Sequence, residues 1–344
     1  MLLGDSIRRV FVSGGAGFIG SHVVDALVSQ GYDVTAFDNL SNGRRVFIAH
    51  HLGKPNFHFV EGDLIDLEHL TRASAGHDLV WHLASNTDII GSHEQPARDV
   101  RDCVQATFHM LEAMRHNGIR PILFSSSGAV YGDLCQEVAT SESAGPLLPV
   151  STYAAGKIAS EAFISSYCHV YGLRAWMFRF GNVLGARMTH GIIVDFIAKL
   201  RRDPAALEIL GDGTQEKNYF LVEECIQGMA FAFRQIALTE ERPCEVFNLG
   251  THTISRVTTI ARIIIEEMGL PNVQIRIAGT RRAWPGDQPK VHITIDRMRQ
   301  YGWSAALDSD QAVRIAIRRM LGKEEPVGAG RAATAAVAQR RGDA

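Results

Sequence analysis

The chain has five cysteines, Cys103, Cys135, Cys168, Cys225 and Cys244, and no two of them form a CxxC pair. Spacing this wide excludes a zinc knuckle or a dithiol redox motif and reads as reduced thiols in the cytoplasm. No apolar run is long enough to span a bilayer. The opening MLLGDSIRRV is too short and too soon charged for a signal peptide. Charge bias is also missing: 35 basic residues stand against 37 acidic ones, a net charge of -2. Neither a nucleic-acid partner nor a membrane surface is therefore indicated. No short internal repeat is present. From Pro326 aromatic residues disappear and Ala, Gly and Arg dominate, so 326–344 are expected to form a disordered tail.

What is present alternates. RRVFVSGG, YDVTAFDN, NFHFVEGD, DLVWHLAS, PILFSSSG and RAWMFRFGN are short β-branched or aromatic runs. FIGSHVVDALVSQG, ARDVRDCVQATFHMLEAMRHNG and STYAAGKIASEAFISSYCHVYG have helical spacing. Strand–helix alternation of this kind predicts an α/β fold, a doubly wound parallel sheet covered on both faces. The later chain is less regular. GIIVDFIAKLRRDP, TTIARIIIEEMG and DQAVRIAIRRML read as helices, and EVFNLG as a strand returning to the sheet. The expected division is a Rossmann domain over 1–182 with returning segments near 218–250, then a smaller α+β domain over 183–325.

In VFVSGGAGFIGSH, Gly14, Gly17 and Gly20 are three apart, after a strand and opening a helix. Absent side chains let the backbone approach a pyrophosphate, and the helix amino end offers N–H groups and a positive dipole end. Asp38, ending the second strand, suits the ribose hydroxyls of a dinucleotide and repels a ribose phosphate, so NAD is favoured over NADP, although Arg44 and Arg45 follow closely. Asp63 ends the third strand and either holds the adenine or caps a helix. Three serines close the fifth strand, at the edge where parallel sheets bind ligands. Tyr153 and Lys157 follow, four residues apart on a helix. A cation beside a phenol favours the phenolate, which would make the pair a proton-transfer device.

Taken in order, GGAGFIG, Asp38-Asn39, HLAS, SSSGAVYG, YAAGK, RFGN, GDGTQ and Gly286-Asp287 resemble the extended short-chain dehydrogenase/reductases, specifically their NAD-dependent sugar-nucleotide epimerase/dehydratase group, from about Arg8 to about Leu321. The resemblance implies NAD as cofactor, a UDP-sugar substrate and a homodimer built on the helices near Val104–Met114 and around Tyr153. Tyr153 is the implied acid/base, Lys157 holds the nicotinamide ribose and lowers the Tyr153 pKa, and Ser127 binds the reacting oxygen. Further cofactor contacts are implied for Phe18, Ile19, Ser41, Asn42, Gly43, Leu64, Leu83, Ala84, Ser85 and Phe180. The sugar and diphosphate contacts are implied for Asn182, Arg187, Lys217, Arg282 and Asp287, and no metal is implied.

Within the group, dehydratases and decarboxylases carry an acid just after the Ser or Thr. This chain has Gly128 and Ala129 there, and neither moves a proton. The implied reaction is a UDP-sugar 4-epimerisation, on UDP-glucose/UDP-galactose or UDP-glucuronate/UDP-galacturonate. A dehydratase, decarboxylase or reductase of the same group, or a non-catalytic NAD-binding regulator, are the alternatives.

Overall fold

The strand-forming runs close, one after another, on glycine, aspartate or serine, and each closure delivers its polar end to one edge of a single sheet. The computed structural model describes residues 1–136, 139–280 and 282–323; the tail expected from Pro326 lies outside the described residues. The strands are β1 (Arg9–Ser13), β2 (Asp33–Asp38), β3 (Phe57–Glu61), β4 (Leu79–His82), β5 (Pro121–Ser127) and β6 (Arg174–Phe180), joined by a seventh, Cys244–Leu249. Their order across the sheet is seventh, β6, β5, β4, β1, β2, β3. Every pairing is parallel. The chain winds outward from β1 through β2 to β3, then returns to the other side of β1 with β4. The reversal between β1 and β4 is the crevice where open parallel sheets take ligands.

Side chains alternate across the sheet because successive residues of a strand face opposite sides. Val10 and Val12 of β1, Val34 and Ala36 of β2, and Trp176 and Phe178 of β6 face one apolar layer. Phe11, Phe37, Ala175 and Met177 face the other. Both faces are apolar, so these strands read as continuous hydrophobic runs. The Phe18–Ser29 and Val222–Gln235 helices cover the first face. The Ala106–Asn117 and Thr152–Tyr171 helices cover the second. EVFNLG does return to the sheet, with Phe247 set against Phe178 of β6.

A third apolar cluster unites the helices Ile192–Arg202, Val257–Met268 and Ser309–Met320. It joins the sheet through the short parallel pair Asn182–Leu184 and Tyr219–Leu221. Buried Asn218 stitches this junction. Its amide donates to the carbonyls of Thr251 and Thr253 at 2.8 and 2.9 Å, and its side-chain oxygen accepts from the Ile293 N–H at 2.9 Å.

One helix differs from its expected form. ARDVRDCVQATFHMLEAMRHNG is helical, but Val100–Gln105 form a π-helical stretch before the α-helix Ala106–Asn117 begins. The Thr152–Tyr171 helix packs closely there: a Cβ on Gly156 would lie 3.0 Å from the Cys103 Cβ and 3.3 Å from the Asp99 carbonyl. A single-turn widening of this kind commonly marks a functional site.

Candidate active site

The glycine loop between β1 and the first helix is compressed against its surroundings. Gly14 has φ +71°, a conformation that disfavours any side chain, and a Cβ there would lie 2.8 Å from the Ala84 backbone nitrogen. A Cβ on Gly20 would sit 1.9 Å from the Gly14 carbonyl oxygen, so helix and loop touch only because both positions are glycine. Gly17 begins the helix, and no side chain caps its first turn. The first-turn residues Phe18, Ile19 and Gly20 line a cavity of about 350 Å³. Uncapped N–H groups and the positive helix end are what a pyrophosphate requires, so the residues present fit a dinucleotide.

Every position expected to bind cofactor lines this cavity except Lys157. Asp38 is buried, with one carboxylate oxygen accepting from the Ala16 N–H at 3.0 Å and the other from the Leu40 N–H at 2.8 Å. Burial raises its pKa, and these backbone donors oppose the rise. A Cβ on Gly43 would come within 2.7 Å of this carboxylate. Asp63 does not cap the next helix; Asp66 does. Asp63 accepts from the Ile65 N–H at 3.1 Å and pairs with Arg101 at 2.6 Å. Burial alone would raise its pKa, but these bonds and one from Asn39 hold it below the usual carboxylate range.

Tyr153 and Ser127 sit at the other end, where β5, β6 and the Thr152–Tyr171 helix converge. The Ser151 hydroxyl starts this helix by accepting from the Ala154 N–H at 3.2 Å. The Ser127 hydroxyl accepts from the Ala129 N–H at 3.2 Å and lies near enough to Tyr153 to pull its pKa down. Lys157 is buried beside them. Its ammonium donates to the Ser125 carbonyl at 2.7 Å and lies 5.0 Å from the Phe124 ring centre and 5.9 Å from that of Tyr153. Burial lowers the Lys157 pKa. The expected lowering of the Tyr153 pKa is not seen in this geometry. Burial drives it above that of an ordinary phenol, with Cys103 and Asp99 adding to the rise, and only Ser127 opposes. The physical reason is that a desolvated phenolate costs more than one nearby hydroxyl returns.

An ion pair underlies this corner. Arg179 of β6 donates from two nitrogens to Glu161 of the Tyr153 helix, at 2.7 and 3.0 Å, and both side chains are under a tenth exposed. Ser126, next to Ser127, also donates to Glu161. The Arg179 guanidinium lies 4.9 Å from the Tyr131 ring centre, and the Tyr131 hydroxyl reaches Asn248 of the seventh strand at 2.7 Å. A second polar chain runs under the glycine loop: His82 of β4 bonds the Ser13 hydroxyl at 2.6 Å and the Thr107 hydroxyl at 3.2 Å. Burial, then the Lys157 charge, push the His82 pKa down to about 3.

The expected sugar and diphosphate contacts divide. Asn182 lines the cavity. Lys217, Arg282 and Asp287 lie outside its wall but form one group. The Lys217 ammonium is 3.6 Å from the Asp287 carboxylate, and Arg282 donates to the Asp287 carbonyl at 2.6 Å and to Asp133 at 2.9 Å. Arg187 is placed elsewhere. It pairs with Asp25 of the first helix at 2.8 Å, and Asp25 also accepts from His50 and His51 at 2.8 and 2.6 Å. Asn86, Thr87, Ile89 and Arg98 also line the cavity. No motif marks them in the sequence: Asn86, Thr87 and Ile89 lie between the β4 run and the next helical run, and Arg98 shows only helical spacing.

The model of the NAD dependent epimerase/dehydratase family matches residues 10–250. The chain belongs to this family. It is 33% identical over 341 residues to the UDP-glucose 4-epimerase of Azospirillum brasilense, covering 93% of this chain and 94% of that one. It is 29% identical over 276 residues to UDP-glucuronic acid decarboxylase 4 of Arabidopsis thaliana, covering 78% of this chain and 59% of the relative. Among solved structures, a UDP-galactose 4-epimerase is similar with a TM-score of 0.79 and 36% identity, covering 92% of this chain and 99% of that one. The Thermus thermophilus UDP-glucose 4-epimerase complex with NAD is similar with a TM-score of 0.80 and 28% identity, covering 92% and 99%. The protein is thus an NAD-dependent enzyme of this family with an extended Rossmann-type fold. No helix among the described residues is long and apolar enough to cross a membrane.

Two outcomes follow from the buried polar groups. Glu161→Ala leaves the Arg179 guanidinium buried and unpaired, and should lower stability by about 3–5 kcal/mol in a denaturant titration. His82 refuses a proton until about pH 3, whereas an unfolded chain accepts one near its ordinary value of 6.5. The unfolded state therefore holds more protons between these values. The stability His82 contributes is complete above pH 6.5 and is lost progressively as pH falls towards 3. Thermal melts across this range should show a fall that His82→Asn flattens.

Proposed function

We propose that the protein is a UDP-sugar 4-epimerase, inverting carbon 4 through a transient 4-keto sugar. The substrate pair is UDP-glucose/UDP-galactose or UDP-glucuronate/UDP-galacturonate. The observation that carries this reading is where the acids lie. Among the described residues, the only carboxylates lining the cavity are Asp38, Asp63 and Asp102. Arg101 ties Asp63 to Asp102, and Asn39 bridges from the Asp38 side, so all three gather at the end away from Tyr153. At the other end Ser127 is followed by Gly128 and Ala129. A Cβ on Gly128 would already lie 3.0 Å from the Phe180 carbonyl and 3.2 Å from a Val291 methyl. Loss of water from a sugar requires an additional acid and base, whereas inversion by oxidation and reduction at one carbon needs a single proton carrier.

NAD, when bound, supplies the reversible hydride acceptor. Tyr153 takes the proton of the carbon-4 hydroxyl and later returns it. Ser127 holds the reacting oxygen. Lys157 supplies the buried positive charge that opposes the cost of the phenolate. Asn182 reaches the substrate side of the cavity, and Lys217 and Arg282 are cations available to a diphosphate once it displaces their contacts with Asp287 and Asp133. Arg187 is committed to Asp25 and is assigned no substrate contact. Decarboxylation is the second reading, favoured by relatives such as the Arabidopsis enzyme and opposed by the missing acid.

A homodimer fits the surface of the same helices. Phe108, Phe163 and Tyr171 are 36%, 40% and 51% exposed, and the Phe108 and Phe163 rings lie 6.0 Å apart. Their shared face is a dimer contact in this reading, so Phe163→Glu should shift a sedimentation profile from dimer to monomer. A monomeric parent protein would reject it.

Purified protein with NAD, offered UDP-glucose and UDP-glucuronate separately, should convert one of them to its carbon-4 epimer by NMR without net NADH. Tyr153→Phe should lower turnover by at least about a hundredfold while NAD binding persists. A 4-keto-6-deoxy sugar or a pentose would overturn the epimerase reading.

A further inference from the structure

A second depression lies further along the Tyr153 helix, between that helix and the seventh strand. It is an open groove of about 660 Å³, with Ser165, Cys244 and Arg297 in its wall. Cys244, the first residue of the seventh strand, is partly exposed in it. Cys168, one helical turn beyond Ser165, is 2% exposed and belongs to the apolar layer against which Cys244 packs. Each thiol is the foremost influence on the other's protonation, and the Cys244 sulfur is 3.6 Å from the hydroxyl oxygen of Ser165, one turn from Cys168. The remaining cysteines, Cys103, Cys135 and Cys225, are each at most 2% exposed. The groove thus presents one accessible sulfur, and a second lies in the apolar layer it packs against.

We propose that Cys244 and Cys168 form a reversible oxidation site, in which a hydroperoxide oxidises Cys244 and Cys168 closes a disulfide between the Tyr153 helix and the seventh strand. The Cys244 thiolate attacks the peroxide oxygen. A sulfur–oxygen bond forms, the oxygen–oxygen bond breaks, and hydroxide or alkoxide leaves, so the peroxide is reduced by two electrons and Cys244 becomes a sulfenic acid. The Cys168 sulfur then attacks that sulfenic sulfur. A sulfur–sulfur bond forms, the sulfur–oxygen bond breaks, and the hydroxyl leaves as water with the Cys168 proton. A thiol reductant restores both groups by exchange.

The electrostatics agree with this division of roles. Cys168 is the largest influence on Cys244. With help from Ser165 and the charge of His169, and against burial, it brings the Cys244 thiol down to about 6. The same contact drives Cys168 up. Burial raises Cys103, Cys135 and Cys225. Reactive thiols are those with depressed pKa and access to solvent, and of the five cysteines Cys244 alone has both.

The test uses the native protein, reduced and freed of reductant. Iodoacetamide alkylation, followed cysteine by cysteine by mass spectrometry from about pH 5 to about pH 9, should label Cys244 first, with a midpoint near 6. Hydrogen peroxide should then yield a crosslinked peptide joining Cys168 and Cys244 on a non-reducing map, reversed by dithiothreitol. In Cys168→Ser the same treatment should carry Cys244 on to the sulfinic acid. Alkylation of Cys244 only above about pH 8, or sulfinic Cys244 beside a free Cys168 in the native protein, overturns the proposal. The native measurements decide the matter even where the variant does not fold.

Discussion

The buried pair of Glu161 and Arg179 sets the geometry of the corner that holds Tyr153 and Ser127. One guanidinium joins the helix that carries Tyr153 to β6, the Ser126 hydroxyl brings in β5, and Tyr131 passes the contact on to Asn248 of the seventh strand. Burying two charges is costly, and the cost is offset here because the contact is bidentate and the remaining acceptor sites are filled. Apolar packing alone would hold the helix on the sheet but would permit it to slide. A directional pair fixes its height along the sheet, and with it the approach of Tyr153 to Ser127.

The cavity is arranged by charge from end to end. Its acids stand where ribose hydroxyls would lie, near Asp38 and Asp63, and its hydroxyl groups and buried ammonium stand at the Tyr153 end. The separation follows from winding: β2 and β3 bring acids to one side of the β1–β4 crevice, while β5 and β6 bring serines and the Tyr153 helix to the other. Burial, with Cys103 and Asp99 adding to it, raises the Tyr153 pKa in this geometry. Whatever draws its proton away must be positive and close, and Lys157 is the group on this chain that is both.

The same helix has a second chemistry further along its length. Tyr153 lines the cavity and Lys157 is buried beside it, whereas Ser165 and Cys168 lie about three to four turns on, near the seventh strand and Cys244. A covalent link at Cys168 would add a fixed point to a helix already positioned by Glu161, so the state of two thiols outside the cavity is mechanically joined to the residues inside it.

The amino-acid sequence by itself determined the winding of the sheet and most of the cofactor cradle. Both are written locally: alternating residues build two-faced strands, and a tight turn into a helix demands glycine at Gly14 and Gly20. The acid ending β2 is legible for the same reason, since its place in the fold follows from its place in the strand. What only the tertiary structure decided are relations between residues far apart in sequence. The resemblance implies a sugar or diphosphate contact for Arg187, whose fork of donors suits an anion, yet Asp25, more than 160 residues earlier, claims it. Cys168 and Cys244 were two scattered thiols until the seventh strand returned beside the Tyr153 helix. Asn86 lies between two periodic runs and Arg98 shows only helical spacing, so neither announces its place in the cavity. The Tyr153–Lys157 spacing suggested a lowered phenol pKa, but the outcome was set by desolvation, which depends on everything packed around the group and on no single neighbour.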